Sequence, residues 1–264
     1  MRRCVTVVGL AWGLIAPAYP ARSAYAGIID LTPGGASRGT INGAIFEFGK
    51  QRGGTGILEP FVRIQANGSE HGYNTSSASV PFDEKTGPWT RDLRLNEIPV
   101  ITKAGVRYLE FLLDINENRG NGHEFLSLDA LRLYTSSAPG RNTTDFDLLG
   151  TLRYDLDAGE DNTILLNYAN APGSGWTDMT AYVPVDNFAG VDPSHYLYVY
   201  SQFGLRPVEG SGSNRKDWGT SDGFEEWAVE LFPDTVYIPE PVTLGFLAAG
   251  APAMLWRRRK RHGS

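Results

Sequence analysis

The amino-acid sequence predicts an all-β fold, a single β-sandwich of jelly-roll-like layout that spans residues 27–237. Three observations lead to this prediction. Short segments of alternating apolar and polar residues recur along that range, glycine-rich and polar turns separate them, and no segment has a convincing helical period. Neither an internal repeat nor a long linker divides the range, so we expect one domain.

The clearest predicted strands lie in residues 106–115, 152–157 and 196–203. In the first of these, every second residue from Leu109 onward is apolar. In the last, Leu197 and Val199 share a side, and Tyr198 lies on the opposite side. Strands with this alternation bury one face and expose the other, as in antiparallel sheets. We therefore expect each of the three to have one face in the core and one in solvent.

Two further segments are predicted as strands with irregular features. In residues 125–134 the apolar alternation changes phase, which predicts a β-bulge at Asp129 and Ala130. Residues 224–232 also fit a helical stripe, but a turn sequence precedes them and Pro233 follows. We therefore interpret them as the last strand.

The first 26 residues have the layout of a secretory signal peptide. A basic start is followed by an apolar stretch and by the small-residue site Ala24-Tyr25-Ala26. This order predicts export and cleavage after Ala26. The single cysteine of the chain, Cys4, lies inside this segment. The exported part is therefore expected to have neither disulfides nor thiolate metal sites.

The exported part is strongly acidic, although the formal net charge of the whole chain is only -6. Residues 27–239 contain 16 Lys and Arg against 29 Asp and Glu, a net charge of -13. Nucleic acid is excluded as an expected partner, since its binding needs basic surface to displace counterions from phosphates. An acidic body is compatible with cation binding.

The C-terminal residues 238–264 combine three features in order. Pro239, Glu240 and Pro241 precede an apolar run, and a basic block follows that consists of Arg257, Arg258, Arg259, Lys260 and Arg261. The apolar run would span about 22 Å as a helix, and basic residues favour the cytoplasmic side of a membrane. These features predict a transmembrane helix that stops transfer and leaves the upstream domain outside the inner membrane.

This tail resembles the PEP-CTERM sorting signal. The resemblance implies recognition by an exosortase in the inner membrane of a Gram-negative-type bacterium and cleavage near the Pro-Glu-Pro motif. It also implies delivery to the cell surface or to an extracellular, biofilm-associated polysaccharide matrix. Pro252 departs from the pattern because it would kink a helix, and an uncleaved transmembrane anchor is the alternative. Residues 111–116, 154–159 and 222–229 are also similar to a segment of other uncharacterised PEP-CTERM proteins, which implies a shared exported β-domain of unknown activity.

Two acidic segments predict calcium as a ligand. Asp114, Asn116 and Asn118 alternate where a strand ends, and oxygen side chains at this spacing converge on a hard cation when the chain curls. Asp155 and Asp157 lie on one face of another predicted strand and form a second cluster. The alternative is a polar loop with Asx turns and a solvated strand face.

Aromatic residues predict glycan binding. Trp89, Trp176 and Trp218 follow or precede Gly, Pro or Asp residues, which is typical of loops. Sugar rings stack on exposed aromatic faces, and the loops of sandwiches often present them. The alternative is that each tryptophan closes one end of the core.

The sequence provides little support for catalysis. Gly35-Ala36-Ser37-Arg38-Gly39 matches the G-x-S-x-G pattern, but the following residues predict a strand where a nucleophile elbow needs a helix. The histidines have no metal-binding spacing, and acidic residues are so numerous that a carboxylate pair carries no information. The sequence therefore predicts an exported, non-catalytic surface or matrix protein that binds polysaccharide, calcium or surface partners. The alternatives are a secreted hydrolase of matrix polysaccharide and a purely structural coat protein.

Overall fold

The structure, a computed structural model, describes residues 27–49, 58–173, 175–221 and 223–230. The predicted signal peptide and the predicted sorting signal at residues 238–264 lie outside the described residues. Within the described ranges the chain forms sixteen strands and five short 3-10 turns. The strands are β1 (Ile28–Asp30), β2 (Arg38–Ile41), β3 (Ala44–Phe48), β4 (Leu58–Ile64), β5 (Asn67–Gly68), β6 (Glu70–Tyr73), β7 (Leu93–Arg94), β8 (Val100–Lys103), β9 (Val106–Ile115), β10 (Phe125–Ser136), β11 (Thr151–Asp155), β12 (Thr163–Asn167), β13 (Met179–Pro184), β14 (Tyr196–Phe203), β15 (Thr220–Ser221) and β16 (Glu225–Glu230).

The strands form two seven-stranded sheets and one small two-stranded antiparallel sheet. The first sheet has the order β1-β12-β10-β14-β6, with β11 beside β10 and β7 beside β14. The second has the order β2-β3-β13-β9-β16-β4, with β8 beside β9. The small pair consists of β5 and β15. The all-β fold that the sequence predicts is thus confirmed for the described residues.

One hydrophobic core lies between the two sheets. It contains Leu126, Leu197 and Val199 of the first sheet together with Leu109 and Phe111 of the second. Period-two alternation places these side chains on the inner faces. The burial of apolar area from both sheets holds them together as a sandwich-like pair of layers.

The predicted bulge is present, because the register of β10 against β14 shifts between Leu128 and Ala130. The predicted exposure of the outer faces is wrong at two strands. Tyr198 and Tyr200 are buried in a second apolar cluster, where Phe82 and Phe146 from loops cover them. Both faces of β9 are buried as well from Tyr108 onward. Loops that fold over a sheet bury side chains that the alternation alone assigns to solvent.

Among the residues that the structure describes, no helix has the length and apolarity needed to cross a membrane.

Candidate functional site

Three glutamates from separate parts of the chain meet at one end of the sandwich. Glu70 begins β6 in the first sheet, Glu117 follows the end of β9 in the second, and Glu225 begins β16 beside β9. Glu225 is fully buried, and Glu70 and Glu117 are buried as well. The Glu225 carboxyl lies within hydrogen-bonding reach of both other carboxyls. We call this group the glutamate cluster.

The small β5–β15 pair holds the glutamate cluster in place. The backbone N–H of Ala66, next to β5, donates to Glu70 Oε2 at 2.7 Å. The backbone N–H of Ser221 in β15 donates to Glu117 Oε2 at 2.8 Å, and the Ser221 hydroxyl donates to the same oxygen. The two strands are joined further by the Thr220 hydroxyl, which donates to the Ala66 carbonyl at 2.8 Å. Glu70 and Glu117 therefore each accept these hydrogen bonds through one carboxyl oxygen, Oε2.

The other carboxyl oxygens of the cluster have no donor. Glu70 Oε1, Glu117 Oε1 and both oxygens of Glu225 are buried and accept no hydrogen bond. Burial raises the pKa of Glu117 to about 7. Burial, together with the two neighbouring carboxyls, raises the pKa of Glu225 well above its usual value. Four buried oxygens without donors are costly unless a proton or a cation is shared among them.

An open depression of about 450 Å³ lies beside the cluster. Asn118, Thr220 and Ser221 line it; Asn118 is next in sequence to Glu117, and Ser221 is hydrogen-bonded to Glu117. Its remaining polar lining includes Asn67, His123, Arg206 and Asp217. Amide, hydroxyl, imidazole, guanidinium and carboxylate groups thus surround one solvent-accessible space.

The first predicted calcium segment ends next to this cluster but makes internal hydrogen bonds. Asn116 Nδ2 donates to Asp114 Oδ1 at 3.2 Å, and the Gly175 N–H donates to Asp114 Oδ2 at 2.7 Å. The Asn118 side chain makes a separate contact, in which its Nδ2 donates to the Ser221 carbonyl at 2.9 Å. Burial raises the pKa of Asp114 to about 7.

A carboxyl that the sequence interpretation missed lies beside Asp114. Asp178, just before β13, accepts a hydrogen bond from the Ile115 N–H at 2.9 Å, and its Oδ1 is buried without a donor. Burial and the Asp114 charge raise its pKa well above the usual value. Asp178 and the glutamates of the cluster gave no local signal, because they come from segments that are distant in sequence.

The second predicted calcium segment is tied to neighbouring groups. Arg132 pairs with Asp155 at 3.3 Å. Asp157 Oδ1 accepts from the Asn162 N–H at 3.0 Å, which is the turn-forming role that short acidic side chains often have. Calcium at Asp155 and Asp157 stays a prediction.

The three predicted glycan-stacking tryptophans have different surroundings. Trp89 is 42% exposed, and the Arg63 guanidinium lies 3.9 Å from its ring centre. Trp176 is half-buried. Trp218 is fully buried against Phe125 with a centroid distance of 5.4 Å, so no sugar ring reaches it. This differs from the exposed loop position that the sequence predicts.

The G-x-S-x-G segment leads into a strand. Ser37 immediately precedes β2, which pairs with β3, so the helix that a nucleophile elbow needs is not there. The Ser37 hydroxyl donates to the Leu31 carbonyl at 3.4 Å.

No family model matches this chain, and neither a curated protein nor a solved structure matches it. The predicted sorting motif Pro239, Glu240 and Pro241 and the basic block after it lie outside the described residues.

Proposed function

We propose that this chain is an exported, non-catalytic protein of the cell surface or extracellular matrix of a Gram-negative-type bacterium. In this proposal residues 1–26 direct export, residues 27–237 form a jelly-roll-like β-sandwich, and residues 238–264 are a PEP-CTERM signal. A C-terminal membrane helix would hold the precursor in the inner membrane until an exosortase processes it. The observation that carries the proposal is the ordered tail, in which Pro239-Glu240-Pro241, an apolar run and a basic block follow one another.

The ligand that we propose for the sandwich is extracellular polysaccharide, bound in the depression beside the glutamate cluster. Its lining of Asn67, His123, Arg206 and Asp217 supplies both donors and acceptors for sugar hydroxyls. Of the carboxyls whose pKa is raised, none lines this depression. A binding role is therefore better supported than general acid catalysis, which needs such a group at the ligand.

The sorting proposal is tested by replacing the motif in the full chain. The variant Pro239→Ala/Glu240→Ala/Pro241→Ala should accumulate as an uncleaved membrane-bound precursor, whereas the native chain should lose its tail and reach the surface. Mass spectrometry of the C-terminus and cell fractionation, in a host with and without an exosortase, provide the readouts. Absence of cleavage in both chains, with the exosortase present, would show that the tail is a plain anchor. Cleavage that needs neither the motif nor the exosortase would also contradict the proposal.

The ligand proposal is tested by co-sedimentation with matrix polysaccharide from the producing cells. Arg206→Ala and Asp217→Asn should each weaken retention roughly 10-fold or more, which is the usual cost of one charge-assisted hydrogen bond. Trp89→Ala is the matched control on a different surface. Loss of retention only in the Trp89 variant would place the glycan at that tryptophan instead. Release of reducing sugars would indicate the hydrolase alternative, and no retention at all would favour a structural coat.

A further inference from the structure

We propose that the glutamate cluster of Glu70, Glu117 and Glu225 binds a divalent cation, calcium in the extracellular medium, that joins the two sheets at this end of the sandwich. This inference goes beyond glycan binding and does not depend on it. It also differs from the calcium segments that the sequence predicts, because none of the three glutamates belongs to them.

The arrangement of the three carboxyls favours a bound cation. Glu70 lies in one sheet, Glu225 lies in the other, and Glu117 follows β9 of that second sheet. Glu70 and Glu117 are each anchored through Oε2, at 2.7 Å and 2.8 Å from the N–H donors of Ala66 and Ser221. Their Oε1 atoms and both oxygens of Glu225 remain without donors. Four carboxyl oxygens are thus available from three segments of the chain that meet at one place.

The complete burial of Glu225 also favours a bound cation. Its side chain has no exposed surface, no hydrogen-bond donor and no basic partner among the described residues. Outside the cluster, the positive charge of Lys85 lowers the pKa of Glu70, whereas the negative charge of Asp83 raises it. A buried acidic group without compensation is destabilising. A cation at the centre would neutralise all three carboxyls at once.

The chemistry of the ligands selects the ion. Hard cations prefer carboxylate oxygens, whereas zinc and copper prefer imidazole and thiolate groups, which the cluster lacks. Calcium accepts about six to eight oxygens in flexible geometry, and magnesium demands a stricter octahedron. Four protein oxygens leave room for water, which the depression beside Asn118 and Ser221 can supply.

Binding requires a local adjustment of side chains. No group of three or more His, Cys, Asp or Glu among the described residues is already spaced to hold a metal ion. The three carboxyls contact one another instead. Glutamate has three rotatable side-chain bonds, so the carboxyls can move apart enough to admit an ion between them.

The test is calcium binding by the purified full chain, measured by calorimetric titration and by thermal unfolding in calcium and in EGTA. We expect one ion per chain with a dissociation constant of about 0.1–1 mM, the range of extracellular modules. The melting temperature should rise by about 3–10 °C in about 10 mM calcium. Magnesium should produce less than half of this shift.

Variants distinguish the glutamate cluster from other acidic sites. Glu225→Gln and Glu117→Gln should each weaken calcium binding at least 10-fold and remove the thermal shift. The variant Glu97→Gln changes a glutamate whose side chain is 41% exposed, and it should behave like the native chain. Unfolding in EGTA reports that each variant folds, and Glu225→Gln should melt there at or above the native temperature, since it removes an unsatisfied buried acid.

Two results would overturn the proposal. One is the absence of both heat and thermal shift at about 10 mM calcium, well above the expected range. The other is calcium binding that survives Glu225→Gln and Glu117→Gln but is lost in Asp114→Asn or Asp155→Asn. That result would move the ion to the segments that the sequence predicts.

Discussion

Buried glutamates in this chain differ in the hydrogen bonds that they receive. Glu84 is nearly fully buried, and the backbone N–H groups of Tyr73 and Phe82 donate to its two oxygens at 2.7 Å and 2.9 Å. Glu225 is fully buried and receives no donor. Burial raises the pKa of both side chains, but only in Glu84 do backbone donors oppose the effect. At the residue scale, the presence of donors therefore distinguishes a structural carboxyl from a candidate ligand.

Glu110 on β9 provides a pH-dependent prediction at this scale. Burial and the nearby Glu230 carboxylate raise its pKa above the usual 4.5. As the pH rises, the Glu110 carboxyl loses its proton at a lower pH in the unfolded chain than in the folded chain. The free energy of unfolding should therefore fall as the pH rises above about 4.5 and level off beyond the raised pKa. Glu110→Gln should remove this component. Urea denaturation at about pH 4 and about pH 8 should show the variant gaining stability relative to the native chain only at the higher pH. An equal difference at both values would show that Glu110 titrates normally.

At the scale of elements, two hairpins use turns with positive φ at both central residues. Asn42 (φ 50°) and Gly43 (φ 83°) connect β2 to β3, and Ala104 (φ 49°) and Gly105 (φ 84°) connect β8 to β9. This turn geometry matches the twist of the strands and favours Asn-Gly. Asn42 also donates to the Asp155 and Leu156 carbonyls at 2.9 Å and 2.8 Å. The first hairpin thus has the preferred residues, and the second has an alanine in a strained conformation.

Replacing that alanine should stabilise the β8–β9 hairpin. Ala104 is exposed, so Ala104→Asn should raise the free energy of unfolding by about 1 kcal/mol through relief of backbone strain alone. Urea denaturation measures the change. Ala104→Val is the opposite control, because a β-branched residue tolerates positive φ worse and should destabilise the chain. Stabilisation by both residues would mean that side-chain contacts, and not φ, decide the effect.

At the scale of the whole molecule, the two sheets are joined by a buried hydrogen bond inside the shared core. Trp227 of β16 is fully buried, and its Nε1 donates to the Ser201 Oγ of β14 at 3.1 Å. A second buried hydrogen bond joins the sheets elsewhere in this core, where the Tyr154 hydroxyl of β11 donates to the Ile41 carbonyl of β2 at 3.1 Å. The Trp227–Ser201 bond fixes the position of one sheet relative to the other, two residues beyond Glu225 of the glutamate cluster.

Removing the indole donor should weaken the whole sandwich. Trp227→Phe should cost about 2–4 kcal/mol, since it leaves a small cavity and an unpaired serine hydroxyl. A double-mutant cycle with Ser201→Ala isolates the bond, and we expect a coupling energy of about 1 kcal/mol. Additive effects of the two substitutions would indicate that packing alone joins the sheets there.

Local patterns predicted much of the strand layout correctly. The alternation of residues 106–115 and 196–203 corresponds to β9 and β14, and the phase change at Asp129 and Ala130 corresponds to a bulge. Exposure was predicted less well, because Tyr198 is covered by loop residues that are distant in sequence and Trp218 packs against Phe125 of β10. Alternation reports which side chains share a face, and the face that becomes covered depends on the other segments that fold over it.

The all-β class, the acidity of residues 27–239 and the ordered features of the tail can be read from the sequence, because each depends on composition or on neighbours along the chain. The glutamate cluster cannot be read from it, because it exists only in the folded chain. Its members lie 47 and 108 positions apart, at Glu70, Glu117 and Glu225, and no local period connects them. Sheet pairing and the contact between the two layers bring them together, so the most specific chemical feature of the protein depends on long-range contacts.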